Sequence, residues 1–186
     1  MVGVSVLPVA VHKNKLYFLF GKEKSFEHGI QGYSDFGGGQ EDESIFEGAL
    51  REGGEELTGF LGDENQLKKL IKKSGGTYRI NHDDKYYSHI FKMDYDKNLP
   101  TYYNNNHHYL WKKMKNKHLS ETKLFEKLEI KWFSVNDMKK EKNKFRPFYR
   151  KIVDQILDEL PKIKKFLNKK NKTKRKYIPK NKTHKK

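Results

Sequence analysis

The sequence predicts an α/β sandwich, in which a sheet packs between helices. Segments with the pattern of strands are interleaved with segments that have the three-to-four-residue spacing of helices, and this order is typical of α/β domains. The 186 residues suffice for one domain with a hydrophobic core, and no apolar run reaches membrane-spanning length. We therefore expect one folded domain over residues 1–160 and a disordered basic tail over residues 161–186.

The first half of the chain begins with strands and then changes to helical spacing. Residues 2–11 alternate and are rich in β-branched residues, and residues 16–20 are apolar and aromatic, which predicts two strands. Residues 33–36 lead into the three glycines at residues 37–39, where we expect a turn. The predicted helices are at residues 43–57 and 65–73.

The second half returns to strands and ends in a helix. This final helix is predicted to begin at Pro147, because proline suits the first turn of a helix, and apolar residues follow at helical spacing up to Leu160. Residues 100–108 are polar and aromatic, which predicts a loop. The predicted strands are at residues 78–80, 86–93 and 130–135.

Positive charge is concentrated at the C-terminal end. Residues 161–186 contain 13 of the 40 Lys and Arg residues and no acidic residue, so most of the chain's net charge of +16 comes from this segment. Such a composition cannot bury enough apolar surface to fold alone. It is suited to attract RNA or another nucleic acid, or to act as a nuclear import signal at residues 169–176. A solubilising end, or the result of a Lys- and Asn-rich coding bias, explains it equally well.

Cysteine is absent from the chain, which excludes disulfides, cysteine-based zinc sites and a cysteine nucleophile. This fits a reducing compartment. The N-terminus lacks the basic leader and cleavage site of a signal peptide. We expect a cytoplasmic protein without a membrane partner, with the nucleus as the alternative if the basic segment is an import signal.

Three carboxylates are predicted to lie on one helix face. Glu52, Glu55 and Glu56 recur at i, i+3 and i+4, where their like charges repel one another. A hard divalent cation prefers oxygen ligands and would turn this repulsion into coordination. The Gly-rich segment before the helix can bring backbone amides close to a phosphate. Together they indicate phosphoanhydride chemistry.

The same stretch resembles the Nudix box, the signature of the Nudix hydrolases. Gly37 is followed after five residues by Glu43 and, after seven more, by Arg51-Glu52-x-x-Glu55-Glu56. The resemblance to the family covers residues 2–160. Three positions depart from the usual pattern. Gly53 replaces an aliphatic residue and is followed by a second glycine, the closing glycine is displaced to Gly59, and the acidic residue of the Gly-rich segment is displaced to Glu41.

The resemblance implies a fold and a role for each residue of the box. The fold is a mixed sheet between helices, and Glu52, Glu55 and Glu56 are ligands of Mg²⁺ or Mn²⁺. A backbone carbonyl of Gly37 or Gly38 completes the ligand set, and Gly37, Gly38 and Gly39 form the phosphate loop. Glu43 and Arg51 are structural and orient the loop and the helix.

Glycines at positions 53 and 54 cost a helix about 1 kcal/mol each, so we expect a close approach of the helix to its neighbours there.

The general base has several candidates. Nudix enzymes often use a further Glu outside the box, and Glu129, three residues before Trp132, is the first candidate by resemblance. Glu121 and Glu126 are alternatives, and Glu55 itself can take the proton.

The predicted function is metal-dependent hydrolysis of a P–O–P linkage in a nucleoside-diphosphate-linked substrate. The basic segment, together with aromatic residues Tyr102, Tyr103 and Trp111 that can stack on a base, favours capped RNA and hence mRNA decapping. Decapping Nudix proteins occur in eukaryotes and in large DNA viruses, and the composition fits an AT-rich genome of either kind. The alternatives are a hydrolase of dinucleoside polyphosphates, nucleotide sugars or inositol pyrophosphates, and an inactive Nudix fold that binds RNA or protein.

Overall fold

The structure is a computed structural model that describes residues 2–23, 32–114 and 126–169. Within these residues, seven strands form one mixed sheet between two layers of helices, which confirms the predicted α/β sandwich. The strands are β1 (Gly3–His12), β2 (Lys15–Glu23), β3 (Tyr33–Ser34), β4 (Phe36–Gly39), β5 (Thr77–His82), β6 (Tyr86–Lys92) and β7 (Lys127–Ser134). The helices are α1 (Ile45–Glu56), α2 (Glu64–Ser74), α3 (Leu99–Lys113), α4 (Val135–Lys140), α5 (Tyr149–Asp158) and α6 (Leu160–Leu167), with a 3-10 turn at Lys142–Lys144.

Strand β1 is the centre of the sheet and has different partners along its length. It runs parallel to β6 on one edge. On the other edge it pairs antiparallel with β4 through residues 3–6 and with β2 through residues 9–12. Strands β1 and β2 therefore diverge, and the β3–β4 segment fills the gap between them, because β3 pairs with the end of β2.

Two hydrophobic cores lie on opposite faces of the sheet. The α1 face, covered by α1, α2 and α3, has a core that includes Val6, Leu50, Leu67 and Trp132. The opposite face, covered by α4, α5 and α6, has a core that includes Phe20, Phe133 and Ile152. No helix in the described ranges is long and apolar enough to cross a membrane.

The first two helices agree with the sequence, and their caps explain their boundaries. Helix α1 follows Ser44, whose hydroxyl accepts a hydrogen bond from the Glu47 amide. Helix α2 begins with a capping box between Asp63 and Gln66 and ends at Gly75 in the left-handed conformation.

The prediction of a loop at residues 100–108 is wrong, because these residues lie in α3. Tyr103 and His107 are four residues apart and form the buried side of this helix. The Asn104 side chain accepts a hydrogen bond from the Ile130 amide over 2.9 Å, so a polar residue joins the helix to β7. The polar composition reflects an exposed helix face and this contact.

The predicted boundary at residue 160 lies inside the folded region. The helix predicted from Pro147 to Leu160 corresponds to α5, and a further helix, α6, extends through residues that the sequence assigned to the tail. Ile163 and Leu167 are buried in the core of the opposite face, which gives this basic helix an apolar side. Residues 170–186 lie outside the described residues.

Candidate active site

Glycines 37–39 form strand β4, so the prediction of a turn at these residues is wrong. The strand lies in register with β1, where Gly37 faces Ser5 and Gly38 faces Val4. A Cβ atom at Gly37 would collide with the Val4 carbonyl, and one at Gly38 would collide with the Glu52 carboxylate. The glycines therefore allow β1 and α1 to approach this strand closely.

Helix α1 also comes close to the sheet at Gly53, the first of the two adjacent glycines at which the sequence predicted a close approach. A Cβ atom at Gly53 would collide with the side chain of Val6 on β1. At Gly54 the nearest heavy atom would lie 3.6 Å away, which is ordinary contact. Of this adjacent pair, only Gly53 is required by packing.

The Arg51 guanidinium connects β4, the loop after it and α1. Its Nη2 atom donates hydrogen bonds to the Gly39 carbonyl and to Glu43 Oε1, each over 2.9 Å. Its Nη1 atom donates to Glu52 Oε1 over 2.7 Å. The bond from Arg51 lowers the pKa of the Glu43 carboxyl. These are the contacts that an orienting role for Glu43 and Arg51 requires.

Glu56 at the end of α1 is almost completely buried, with 3 % of its surface exposed. Its Oε2 atom accepts a hydrogen bond from the Gly37 amide over 2.5 Å, and its Oε1 atom lies 3.0 Å from Lys127 Nζ. Burial raises the pKa of this carboxyl well above its usual range, and the positive charge of Lys127 acts in the opposite direction. Glu56 thus fixes β4 to α1 and is part of a buried ion pair.

Lys127 is the centre of this buried cluster, and its side chain is fully buried. Its ammonium group donates hydrogen bonds to Glu23 and, over 3.1 Å, to Ser34 Oγ. Arg146 Nη1 donates to the same Glu23 carboxylate over 3.0 Å. We define the Lys127 cluster as Lys127, Glu23, Glu56 and Ser34.

A shift in strand register brings Lys127 to this position. Strand β7 pairs with β2 regularly from Ser134 to Glu129, but the register changes between Lys22 and Glu23, so that Glu23 lies opposite Lys127. Because a bulge inserts one residue, it moves the following side chains to the other face of the strand. Lys127 and Glu23 were not predicted as site residues, because one lysine among 40 basic residues gives no signal in the sequence.

The three carboxylates of the box lie along one face of α1, but their contacts differ. No group of three or more His, Asp or Glu residues in the described part of the chain is arranged to hold a metal ion. Glu56 is directed to Lys127, whereas the side chains of Glu52 and Glu55 are 12 % and 30 % exposed. Mg²⁺ at phosphate sites commonly uses one or two carboxylates, with phosphate oxygens and waters as its other ligands. Glu52 and Glu55 also pair with Arg51 Nη1, at 2.7 Å and 3.8 Å, but they stay accessible and fit such a site, whereas the buried Glu56 does not in this arrangement.

The structure does not bring Glu129 together with the box. The Tyr33 hydroxyl donates a hydrogen bond to Glu129 over 2.6 Å, and the Tyr33 ring belongs to the core of the face opposite α1. The neighbouring Ile130 belongs to the α1 core, and alternation along β7 places Glu129 on the other side. The charge of Glu126 contributes to the raised pKa of Glu56, after burial and the charge of Glu23. Glu121 lies outside the described residues.

A second buried acid, Asp35, lies on the opposite face, just before β4. It accepts hydrogen bonds from the hydroxyls of Ser5 (2.5 Å), Ser88 (2.6 Å) and Tyr86 (2.5 Å). Burial raises the pKa of Asp35, and the hydroxyl donors act in the opposite direction. The sequence analysis did not identify Asp35, because its three partners come from distant strands.

A cavity of about 280 Å³ lies beside the glycine strand. Gly37, Gly38 and Gly39 form part of its wall, together with the side chains of Tyr86, Arg146 and Phe148. Of the aromatic residues predicted to stack on a base, Tyr102 is exposed but Tyr103 is buried, so Tyr103 does not present a free ring.

Solved structures of Nudix proteins are similar to this chain over most of its length. A Nudix hydrolase from M. smegmatis, RenU, has a TM-score of 0.48 at 10% identity, with 88% of each chain covered. A C. elegans Ap4A hydrolase has a TM-score of 0.47 at 15% identity, covering 89% of this chain and 96% of the other. The Nudix domain of Shewanella oneidensis NrtR, in complex with ADP ribose, has a TM-score of 0.41 at 13% identity, covering 88% and 87%.

No protein-family model and no curated protein sequence matches the chain. At these identities and TM-scores the similarity carries no argument about activity.

Proposed function

We propose that this chain is a Nudix hydrolase that cleaves a P–O–P linkage in a nucleoside-diphosphate-linked substrate. The arrangement of the box residues around β4 is the observation that carries this proposal. Arg51 joins Gly39, Glu43 and Glu52, while Glu56 binds the Gly37 amide. A cavity large enough for part of a nucleotide lies on the same strand.

Mg²⁺ or Mn²⁺ is the proposed cofactor, with Glu52 and Glu55 as its protein ligands. When bound with substrate, such an ion offsets phosphate charge and lowers the pKa of a water. Glu56 can reach a cation only if its ion pair with Lys127 breaks, so we assign it first to positioning β4 against α1. Glu55 is the proposed general base, because Glu129 faces the other side of the sheet.

Decapping of mRNA is the finer proposal for the substrate. The 13 basic residues of residues 161–186 support it, since they would strengthen binding to a long polyanion. The buried position of Tyr103 removes one of the rings on which cap stacking was predicted. Dinucleoside polyphosphates, nucleotide sugars and inositol pyrophosphates remain the alternative substrates, and binding without catalysis is the alternative function.

The test is a Glu55→Gln substitution, assayed with Mg²⁺ and again with excess chelator. Diadenosine tetraphosphate, ADP ribose and capped RNA are the substrates. We expect turnover of at least one substrate by the wild type, complete loss in chelator, and a loss of about 100-fold or more in Glu55→Gln, since a charged ligand is removed.

The matched control is Glu64→Gln, which changes an exposed glutamate of α2 in the same way and should leave the rate unchanged. Equal binding of RNA with and without Mg²⁺, and no turnover of any substrate, would instead support the inactive binding module. Full activity of Glu55→Gln would remove Glu55 from the site.

A further inference from the structure

The cavity beside β4 combines a wall of bare backbone with an exposed aromatic ring, and both suit a nucleobase. Its wall at Gly37, Gly38 and Gly39 carries no side chains, so a flat group can lie close to the backbone. Phe148 is 47 % exposed, although most large apolar side chains of the described residues are buried. The volume of the cavity, about 280 Å³, is just below the range of roughly 300–1,000 Å³ that holds a complete drug-sized ligand, so the cavity suits one part of a nucleotide.

Aromatic and cationic groups meet at the mouth of this cavity. The Phe148 ring lies 5.9 Å from the Tyr86 ring and 4.9 Å from the Arg146 guanidinium carbon. Tyr86 is held in place by its hydrogen bond to Asp35, and Arg146 by its hydrogen bond to Glu23. The Arg146 side chain is 34 % exposed, so its guanidinium can donate to an oxygen of a molecule bound in the cavity.

The glycine strand connects the cavity to the carboxylates of α1. Gly38 lines the cavity and also lies against the Glu52 carboxylate. Gly37 lines the cavity and donates its amide hydrogen to Glu56. A group held in the cavity is therefore separated from the box carboxylates by the thickness of one strand.

We propose that this cavity binds the nucleobase of the substrate, stacked on Phe148, so that the attached phosphates pass the Gly39 end of β4 to reach Glu52 and Glu55. Arg146 completes the subsite as a donor to an oxygen of the same nucleotide. The proposal rests on the proposed function and adds to it the residue that selects nucleotides over phosphates without a base.

The test compares two ligands that differ in the base. Dissociation constants for ADP and for inorganic pyrophosphate are measured by titration calorimetry, with Mg²⁺, on the full chain and on Phe148→Ala. Because stacking on an aromatic ring accounts for a large share of base affinity, we expect Phe148→Ala to bind ADP about tenfold more weakly and pyrophosphate unchanged. Phe148→Tyr keeps the ring and should restore ADP binding.

Tyr109→Ala is the matched control, since Tyr109 is an exposed aromatic residue of α3 far along the chain from the box. It should bind both ligands as the wild type does. Unchanged ADP binding by Phe148→Ala, an equal loss for pyrophosphate, or no ADP binding by the wild type would each overturn the proposal.

The outcome is separable from that of the proposed function. Wild-type protein that binds ADP through Phe148 but turns over no nucleotide substrate would overturn hydrolysis and leave the base site standing. An active enzyme whose affinity for ADP is unchanged in Phe148→Ala would overturn the base site and leave hydrolysis standing.

Discussion

The two faces of the sheet beside β4 each bury a carboxylate, and they stabilise it in different ways. On the α1 face, Glu56 is paired with the Lys127 ammonium, which also binds Glu23. On the opposite face, Asp35 is surrounded by three hydroxyl groups and no cation is among its hydrogen-bond partners in the described residues. The first arrangement depends on one charge shared by two acids, whereas the second divides the task among several neutral donors.

This difference predicts unequal sensitivity to substitution. Removal of one partner of a buried ion pair leaves an uncompensated charge in the interior, which is more costly than the loss of one neutral hydrogen bond. A single substitution in the Lys127 cluster should therefore lower the free energy of unfolding strongly, and a single substitution around Asp35 should lower it moderately.

The largest effect is expected for Lys127→Met, which leaves Glu23 and Glu56 buried without their ammonium. We expect the free energy of unfolding to fall by about 3–5 kcal/mol, measured by urea denaturation. Lys131→Met is the control on the same strand, since Lys131 is partly exposed and pairs with Glu141 at 3.2 Å, and it should cost less than about 1 kcal/mol. Equal losses in the two variants would contradict the importance given to the Lys127 cluster.

A smaller effect is expected for Tyr86→Phe, which removes one of the three hydroxyl donors to Asp35 and keeps the ring. The loss should be about 1–2 kcal/mol, because Ser5 and Ser88 continue to donate. Urea denaturation gives the value. A loss as large as that of Lys127→Met would mean that the two faces do not differ in the way described.

The smallest effect concerns the pH dependence of stability at Asp35. Burial raises the pKa of Asp35, so the folded protein keeps the Asp35 proton at pH values where the unfolded chain has already lost it. The stability that comes from the protonated Asp35 is fully present below the pKa of the unfolded state and is lost as pH rises through the pKa of the folded state. Asp35→Asn keeps a neutral side chain at every pH, so its stability relative to the wild type should increase with pH.

The check is the unfolding free energy of both proteins across the acid range, starting near pH 4. A difference between variant and wild type that stays constant with pH would show that Asp35 has the same pKa in both states.

Local patterns in the sequence predicted the parts of the site that local structure forms. Helix α1 was predicted from the spacing of its residues, and the pairing of Arg51 with Glu43 was implied by the resemblance to the Nudix box, because both depend on one short segment. The contact of Arg51 with Glu52 was not predicted. The turn expected at residues 37–39 was wrong because the glycines serve close packing in a strand, which composition does not distinguish from a turn.

The remaining parts depend on pairing between distant segments. Lys127 and Glu23 are 104 residues apart, and their meeting requires a change of register that no sequence pattern reveals. The position of Glu129 did have a signal. It lies three residues before Trp132, and an odd separation along a regular strand places the two side chains on opposite faces.

The change of register in β7 makes the charge of the protein interior depend on one extra residue in that strand. In a regular ladder Lys127, two residues from Glu129, would lie on the same face as Glu129, and its ammonium would point away from Glu56. Two acids would then remain together on the α1 face without a cation, although the amino-acid composition would be the same. The irregular pairing of the strand, and not its composition, therefore supplies the positive charge that neutralises Glu56.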